Sequence, residues 1–224
     1  EKYERGKMAL CVGFEDYEGN RMSKETRSPA QARFDMTKAH HQKLLEKAIA
    51  EKRIDPLMIP IVKKIMGKKH YFTTSTCSGR ITLMDLDADE GKRENVFYRK
   101  WHSTVKLKDV EEAIQEYGEK RNLWFRQDAL VFVFGVDTLE NAKALFGVCQ
   151  EARLKRFGIH HFEEGKVLVE VFGTTQMSAP VVLEGKRVGD AEYVSHLVKV
   201  ANAKWKKNDV QLKRFNMLLQ KRLE

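Results

Sequence analysis

The sequence predicts an α+β fold: a mixed, largely antiparallel sheet with flanking helices, closed by a long basic C-terminal helix. Two observations carry that prediction. β-patterned segments follow one another with no helix between them at 71–75 and 81–87, and again at 157–162 and 166–173, as antiparallel strands do. No glycine-rich fingerprint follows any of them, so a Rossmann-type cofactor site is not expected. The 224 residues suffice for a substantial core. They are read as an extension over 1–33 and a single domain over 34–224, divisible into lobes 34–120 and 121–224.

Each element has a local reason. Glu15 to Asn20 and Ser23 to Pro29 carry turn chemistry without periodicity, so residues 1–33 are expected to hold at most one strand, Met8 to Phe14. The chain opens on Glu1 instead of methionine, as a fragment or a processed product does. Asp35 is the expected N-cap of a helix reaching about Arg53, with Leu44, Leu45, Ala48 and Ile49 on its apolar face and Asp55-Pro56 as its breaker. A short helix over 57–66 stops at Gly67. Strands are expected at 71–75 and 81–87, then a charged loop at 87–95 and a strand within 96–105. Val110, Ala113, Ile114 and Tyr117 share one helical face over 107–120. Leu123 to Arg126 and the nearly continuously apolar Ala129 to Val136 read as strands, the second central in its sheet. A helix over 138–153 and strands at 157–162 and 166–173 complete a compact unit. Val194, Val198, Ala201, Trp205, Leu212, Phe215 and Leu219 then recur at helical spacing from about Ala191 to Leu223.

Composition narrows the class. Hydrophobic residues are 42% and charged ones 33%, a globular balance. No apolar run approaches the ~20 residues of a membrane span, and Met8 to Phe14 is too short for a secretory signal. Three widely spaced cysteines form neither a disulfide framework nor a metal motif, so a reduced, cytoplasmic setting and no metal are expected. The net charge is +9, and from Lys199 onward eight Lys or Arg face only Asp209 and Glu224. That field suits a polyanion, most plainly RNA.

Four constellations carry chemistry. Thr73 to Arg80 gathers hydroxyls (Ser75, Ser78), a thiol (Cys77), a permissive backbone (Gly79) and a guanidinium (Arg80) suited to a carboxylate or phosphate. The same letters describe a tight turn whose Arg80 pairs with a neighbouring acid. Trp101-His102 offers an aromatic face and a candidate general base, or a structural pair. Glu170 to Pro180 ends a strand with Gly173, Thr174 and Gln176, donors that could read a base edge or cap a turn. Asn202, Lys204 and Asn208 lie along the last helix, where an amide against an apolar seam needs a partner. Cys77 as a nucleophile would require a depressed thiol pKa. His40-His41 and His160-His161 read as surface pairs, not metal ligands.

These residues together resemble a known family. The octet Thr73 to Arg80, ending Cys77-Ser78-Gly79-Arg80, is similar to the Ser-x-Ser-Cys-Ser-Gly-Arg signature of the wybutosine-synthesis tRNA N-4 methyltransferases of archaeal type. Lys100-Trp101-His102 resembles that family's Trp-His segment, Glu170 to Pro180 its Glu-x-x-Gly-Thr-x-x-Met-x-x-Pro stretch, and Asn202 and Asn208 its C-terminal asparagines. Order and spacing agree from Phe34 to the C-terminus. Thr76 replaces the usual serine before the cysteine, and residues 1–33 have no counterpart.

The resemblance implies methyl transfer from S-adenosylmethionine to the N-4 ring nitrogen of a demethylwyosine-type base 3′ of the anticodon in phenylalanine tRNA, on a fold that is not of Rossmann type. His102 and Arg80 are then the expected catalytic residues. Ser75, Cys77, Ser78, Gly79, Arg80 and Trp101 are expected around the cofactor, and Thr174, Gln176, Asn202, Lys204 and Asn208 around the RNA. The alternatives are a non-catalytic module that recognises a modified anticodon loop and a Cys77-dependent enzyme.

Overall fold

A computed structural model describes residues 28–86 and 96–223; the expected strand at 8–14 and loop at 87–95 lie outside them. Helix α1 (Pro29–Ala50) starts earlier than expected. The Ser28 hydroxyl accepts the Gln31 amide hydrogen bond at 3.2 Å, and Pro29 takes the first helical position, where a missing N–H leaves nothing unpaired. Asp35 instead sits within the helix, accepting a hydrogen bond from Gln31 Nε2 at 3.0 Å. Helix α2 (Ile59–Met66) follows, with Pro60 in its first turn. Strands β1 (Tyr71–Cys77), β2 (Arg80–Leu86) and β3 (Val96–Trp101) precede α3 (Leu107–Gln115). Then come β4 (Asn122–Asp128), β5 (Val131–Val136), α4 (Leu139–Glu151), β6 (Arg156–Glu163) and β7 (Lys166–Phe172). Strands β8 (Met177–Leu183) and β9 (Lys186–Arg187) lead into α5 (Ala191–Arg222), which Asp190 caps through the Tyr193 amide.

The strands form two sheets where one was expected. The first has the order β1-β5-β7-β6 and the second β3-β2-β4-β8-β9, and every recorded pairing is antiparallel. Each sheet draws strands from both sides of residue 120, so a division at that point does not describe the sheets. Nor do the two expected strands around Gln127-Asp128 form a hairpin: β4 belongs to the second sheet and β5 to the first. Strand β8 was not expected at all. It carries Pro180, which pairs with Trp124 on one side, while the short β9 reaches only Val182 and Leu183 on the other. A proline is tolerated where its ring nitrogen faces an unpaired edge.

Apolar burial falls into two main clusters, one on each sheet. Phe132, Phe134, Val167, Val169 and Val171 of the first sheet meet α2 and α4, and Ile81, Leu83, Leu123, Phe125 and Val181 of the second meet α3. Helix α5 joins both. Its Val194, Val198, Ala201 and Trp205 enter the second cluster, and Leu212, Phe215, Leu218 and Leu219 enter the first. Full burial of each such side chain contributes about 1.5–3 kcal/mol, so α5 is the main fastening between the sheets. A third small cluster sits under α1, where Phe34 and His41 flank Phe72 with ring centroids 5.5 and 5.1 Å away. Burial pushes the His41 imidazole down to about 4, so it packs as a neutral ring.

Candidate active site at the sheet junction

The chain passes between the sheets three times: at Ser78-Gly79 between β1 and β2, at Ala129-Leu130 between β4 and β5, and over residues 173–176 between β7 and β8. These crossings converge. Asn208, midway along α5 and fully buried, donates from Nδ2 to the Ser78 carbonyl at 2.6 Å. Its Oδ1 accepts the Leu130 amide at 2.7 Å. The Gly173 amide in turn donates to the Leu130 carbonyl at 2.9 Å. One side chain thus satisfies backbone groups of two crossings and reaches the third through Leu130. The space is tight: a Cβ on Gly79, whose φ is +97°, would come within 2.8 Å of both Asn208 Nδ2 and the Asp128 carbonyl. A Cβ on Gly173 would approach that of Ala129 to 2.8 Å.

His102, just past the end of β3, is drawn onto this junction. Its Nδ1 lies 3.0 Å from the Gly79 carbonyl and 3.4 Å from Oδ2 of Asp55. Asp55 is 5% exposed; its Oδ1 accepts the Leu57 amide at 3.0 Å, and its Oδ2 accepts the Ser78 hydroxyl. A carbonyl and a carboxylate oxygen can only accept, so Nδ1 must carry the hydrogen, and the neutral ring keeps its lone pair on Nε2. The arrangement is an imidazole held in one tautomer by two oxygens. Asp55 escaped the sequence reading, which took Asp55-Pro56 as a helix breaker. Nothing local marks a carboxylate whose partners lie 23 and 47 residues away in sequence, and the 23-residue link is to Ser78.

Arg80 leaves the junction on β2 and pairs with Asp128, Nε to Oδ2 at 3.3 Å, with its guanidinium carbon 4.3 Å from the Phe97 ring centroid. Arg126 donates to the other oxygen of the same carboxylate at 3.3 Å. The neighbouring-acid reading of Arg80 is therefore correct, and the pairing uses Nε. Cys77 is half-buried. Burial pushes its thiol up, and the nearby Arg80 and Gly79 amide offset this only in part. That is the opposite of what a Cys77 nucleophile requires.

The remaining expected residues divide. Ser75 is exposed on β1, and Trp101 packs partly against the second sheet's core. Thr174 and Gln176 are exposed on the third crossing, where Gln176 Oε1 accepts from Arg156 at 3.4 Å. Lys204 lies half-buried one turn before Asn208. Both asparagines direct their amides at backbone groups. Asn208 is enclosed, and Asn202 exchanges both its amide hydrogen bonds with the Val105 backbone at 2.9 Å. Both act as backbone clasps. Among the described residues no cluster of three or more His, Cys, Asp or Glu side chains could hold a metal ion.

Fold and site together define a class: a two-sheet antiparallel α+β protein with an imidazole held at the junction of its sheets, and with no glycine-rich nucleotide fingerprint in its sequence. The family model described as Methyltransferase TYW3 matches residues 35–221, and the chain belongs to that family. It is a methyltransferase. A Thermococcus kodakarensis protein named tRNA(Phe) 7-((3-amino-3-carboxypropyl)-4-demethylwyosine(37)-N(4))-methyltransferase 1 is 32% identical over 84% of this chain and 94% of its own. A Bos taurus protein named tRNA wybutosine-synthesizing protein 3 homolog is 29% identical, over 76% of this chain and 67% of its own. A solved Pyrococcus horikoshii protein superposes with a TM-score of 0.78 at 30% identity, over 84% of this chain and 96% of its own. No helix among the described residues is long and apolar enough to cross a membrane.

Proposed function

We propose that this protein methylates the N-4 ring nitrogen of a 7-aminocarboxypropyl-demethylwyosine-type base in phenylalanine tRNA, in the cytoplasm, with S-adenosylmethionine as donor. The observation that carries the reading is the junction itself. Ser78 and Gly79 of one sequence motif and His102 of another meet there through Asp55 and Asn208, and Arg80 follows directly on β2.

The donor set suits the cofactor's chemistry. Arg80 presents a cation to a carboxylate, Asp128 and Asp55 present carboxylates to an ammonium, and Phe97 and Trp101 present aromatic faces to a purine or sulfonium. Ser75 and Cys77 lie on β1, which leads into the turn formed by Ser78 and Gly79. When bound, the cofactor supplies an electrophilic methyl group. The protein's own part is alignment and proton management. The junction holds the ring nitrogen in line, the larger share of the acceleration for a displacement of this kind. His102 Nε2 accepts the proton that the ring nitrogen loses as the new N–C bond forms. Thr174 and Gln176, exposed on the neighbouring crossing, are placed to meet the base or its aminocarboxypropyl arm, and Lys204 to meet a phosphate.

The test is transfer of labelled methyl from S-adenosylmethionine to tRNA from cells lacking this step, with unmodified transcript alongside. Label on the modified tRNA alone is expected. Absence of label, with tRNA still bound and S-adenosylmethionine not bound, would instead leave a non-catalytic reader of the anticodon loop.

A further inference from the structure

We infer that the face of the second sheet opposite its described helices carries the RNA strand that flanks the methylated base; the inference rests on tRNA being the substrate. Cross-strand register places Arg80 beside Asp128, and Met84 beside both Phe97 and Trp124. It places Thr82 beside both Lys100 and Arg126. Residues directly paired or two apart share a face, so Arg80, Phe97, Lys100, Trp124, Arg126 and Asp128 all lie on one side. Ile81, Leu83 and Phe125 point the other way, into the core made with α3 and α5. Among the described residues, the helices that pack on this sheet all lie on that second side.

The exposed side has the chemistry of a single-stranded RNA platform. Two guanidinium groups share one carboxylate, and Lys100 is exposed beside them, so the face is net cationic. Both arginines are anchored along the sheet. Arg80 lies over Phe97, and Arg126 Nη1 reaches Met84 Sδ at 3.4 Å; each is about one-third exposed. Trp124 is half-buried next to them. Planar groups fixed in this way offer stacking surfaces to unpaired bases, with cations for the phosphates between. Arg80 begins at the junction, so the platform is continuous with the site and a strand lying on it leads to His102. The basic face of α5 does not share this position. Its Lys206, Lys207 and Lys213 are exposed on the side of the helix that faces away from the sheets.

The experiment measures binding of the full chain to phenylalanine tRNA from cells lacking this step, across a salt series, for three variants. Trp124→Ala is expected to weaken binding about tenfold. The doubly substituted Lys100→Glu/Arg126→Glu protein is expected to lower the slope of log affinity against log salt by about two. Lys206→Glu/Lys207→Glu, on α5, is expected to change either quantity far less. Thermal unfolding identifies any variant that fails to fold, and exposed Lys100→Glu alone then carries the test. Wild-type binding that is insensitive to Lys100, Trp124 and Arg126, or more sensitive to Lys206 and Lys207, overturns this inference and leaves the methylation reading intact. A wild type that binds no tRNA overturns both.

Discussion

Replacing His102 with alanine lowers the single-turnover rate of methyl transfer by about 10²–10⁴-fold, the usual range for a lost general base, and leaves tRNA affinity nearly unchanged. The separation follows from geometry. The imidazole is held from behind by the Gly79 carbonyl and Asp55, so its Nε2 is the atom left to face substrate. Equal loss of rate and affinity would remove His102 from the chemistry and make it a binding residue. Asp55→Asn is a gentler probe of the same arrangement. The asparagine retains an acceptor for the Leu57 amide, but the NH2 group that replaces Oδ2 donates toward the Ser78 hydroxyl oxygen and His102 Nδ1 and so releases the tautomer. The expected result is at least a tenfold fall in rate without a change in substrate affinity. Imidazole ¹⁵N shifts should report a mixture of tautomers where the wild type shows one.

Asn208→Ala carries the largest expected effect on stability. The substitution strands the Leu130 amide and the Ser78 carbonyl inside the protein, beneath a helix that excludes water. At about 1–3 kcal/mol for each buried group left unpaired, the loss is about 2–6 kcal/mol. For a domain of this size, at about 2–4 °C per kcal/mol, that lowers the melting temperature by roughly 4–24 °C, which calorimetry would read directly. Asn208→Asp should be no milder, because it still accepts from Leu130 but sets a buried carboxylate oxygen against the Ser78 carbonyl. A shift below about 1 °C for the alanine variant would mean that water replaces the amide and that the crossings are held elsewhere.

Elements whose signal is local were legible in the sequence. The apolar spacing of α5 and the continuous run of β5 were readable because periodicity acts within a few residues. Ser28-Pro29 is a stronger local start signal for α1 than Asp35, but it lies in a segment without periodicity. Strand β8 was hidden because Ser178, Ala179 and Pro180 are poor strand formers, and it is stabilised by pairing to β4, a tertiary effect. The site divides in the same way. His102 and Gly79 announce themselves by residue type, but their contact depends on the second sheet's register. The work of Asp55 and Asn208 was invisible, since a carboxylate next to a proline and an amide on a helix acquire meaning only through distant partners.

The long span of the Asn208 clasp bears on when the enzyme becomes competent. Its two backbone partners lie 130 and 78 residues upstream, separations that make loop closure slow relative to local helix and hairpin formation. The strands that supply Gly79 and His102 leave the ribosome well before the helix that pins them. Until α5 docks, the Ser78 carbonyl and the Leu130 amide lack the side chain that joins them, and the Gly79 carbonyl that faces His102 is less firmly placed. Competence therefore arrives with the last helix, so that an incomplete chain meeting its RNA would hold the motif residues without the arrangement that lets them act.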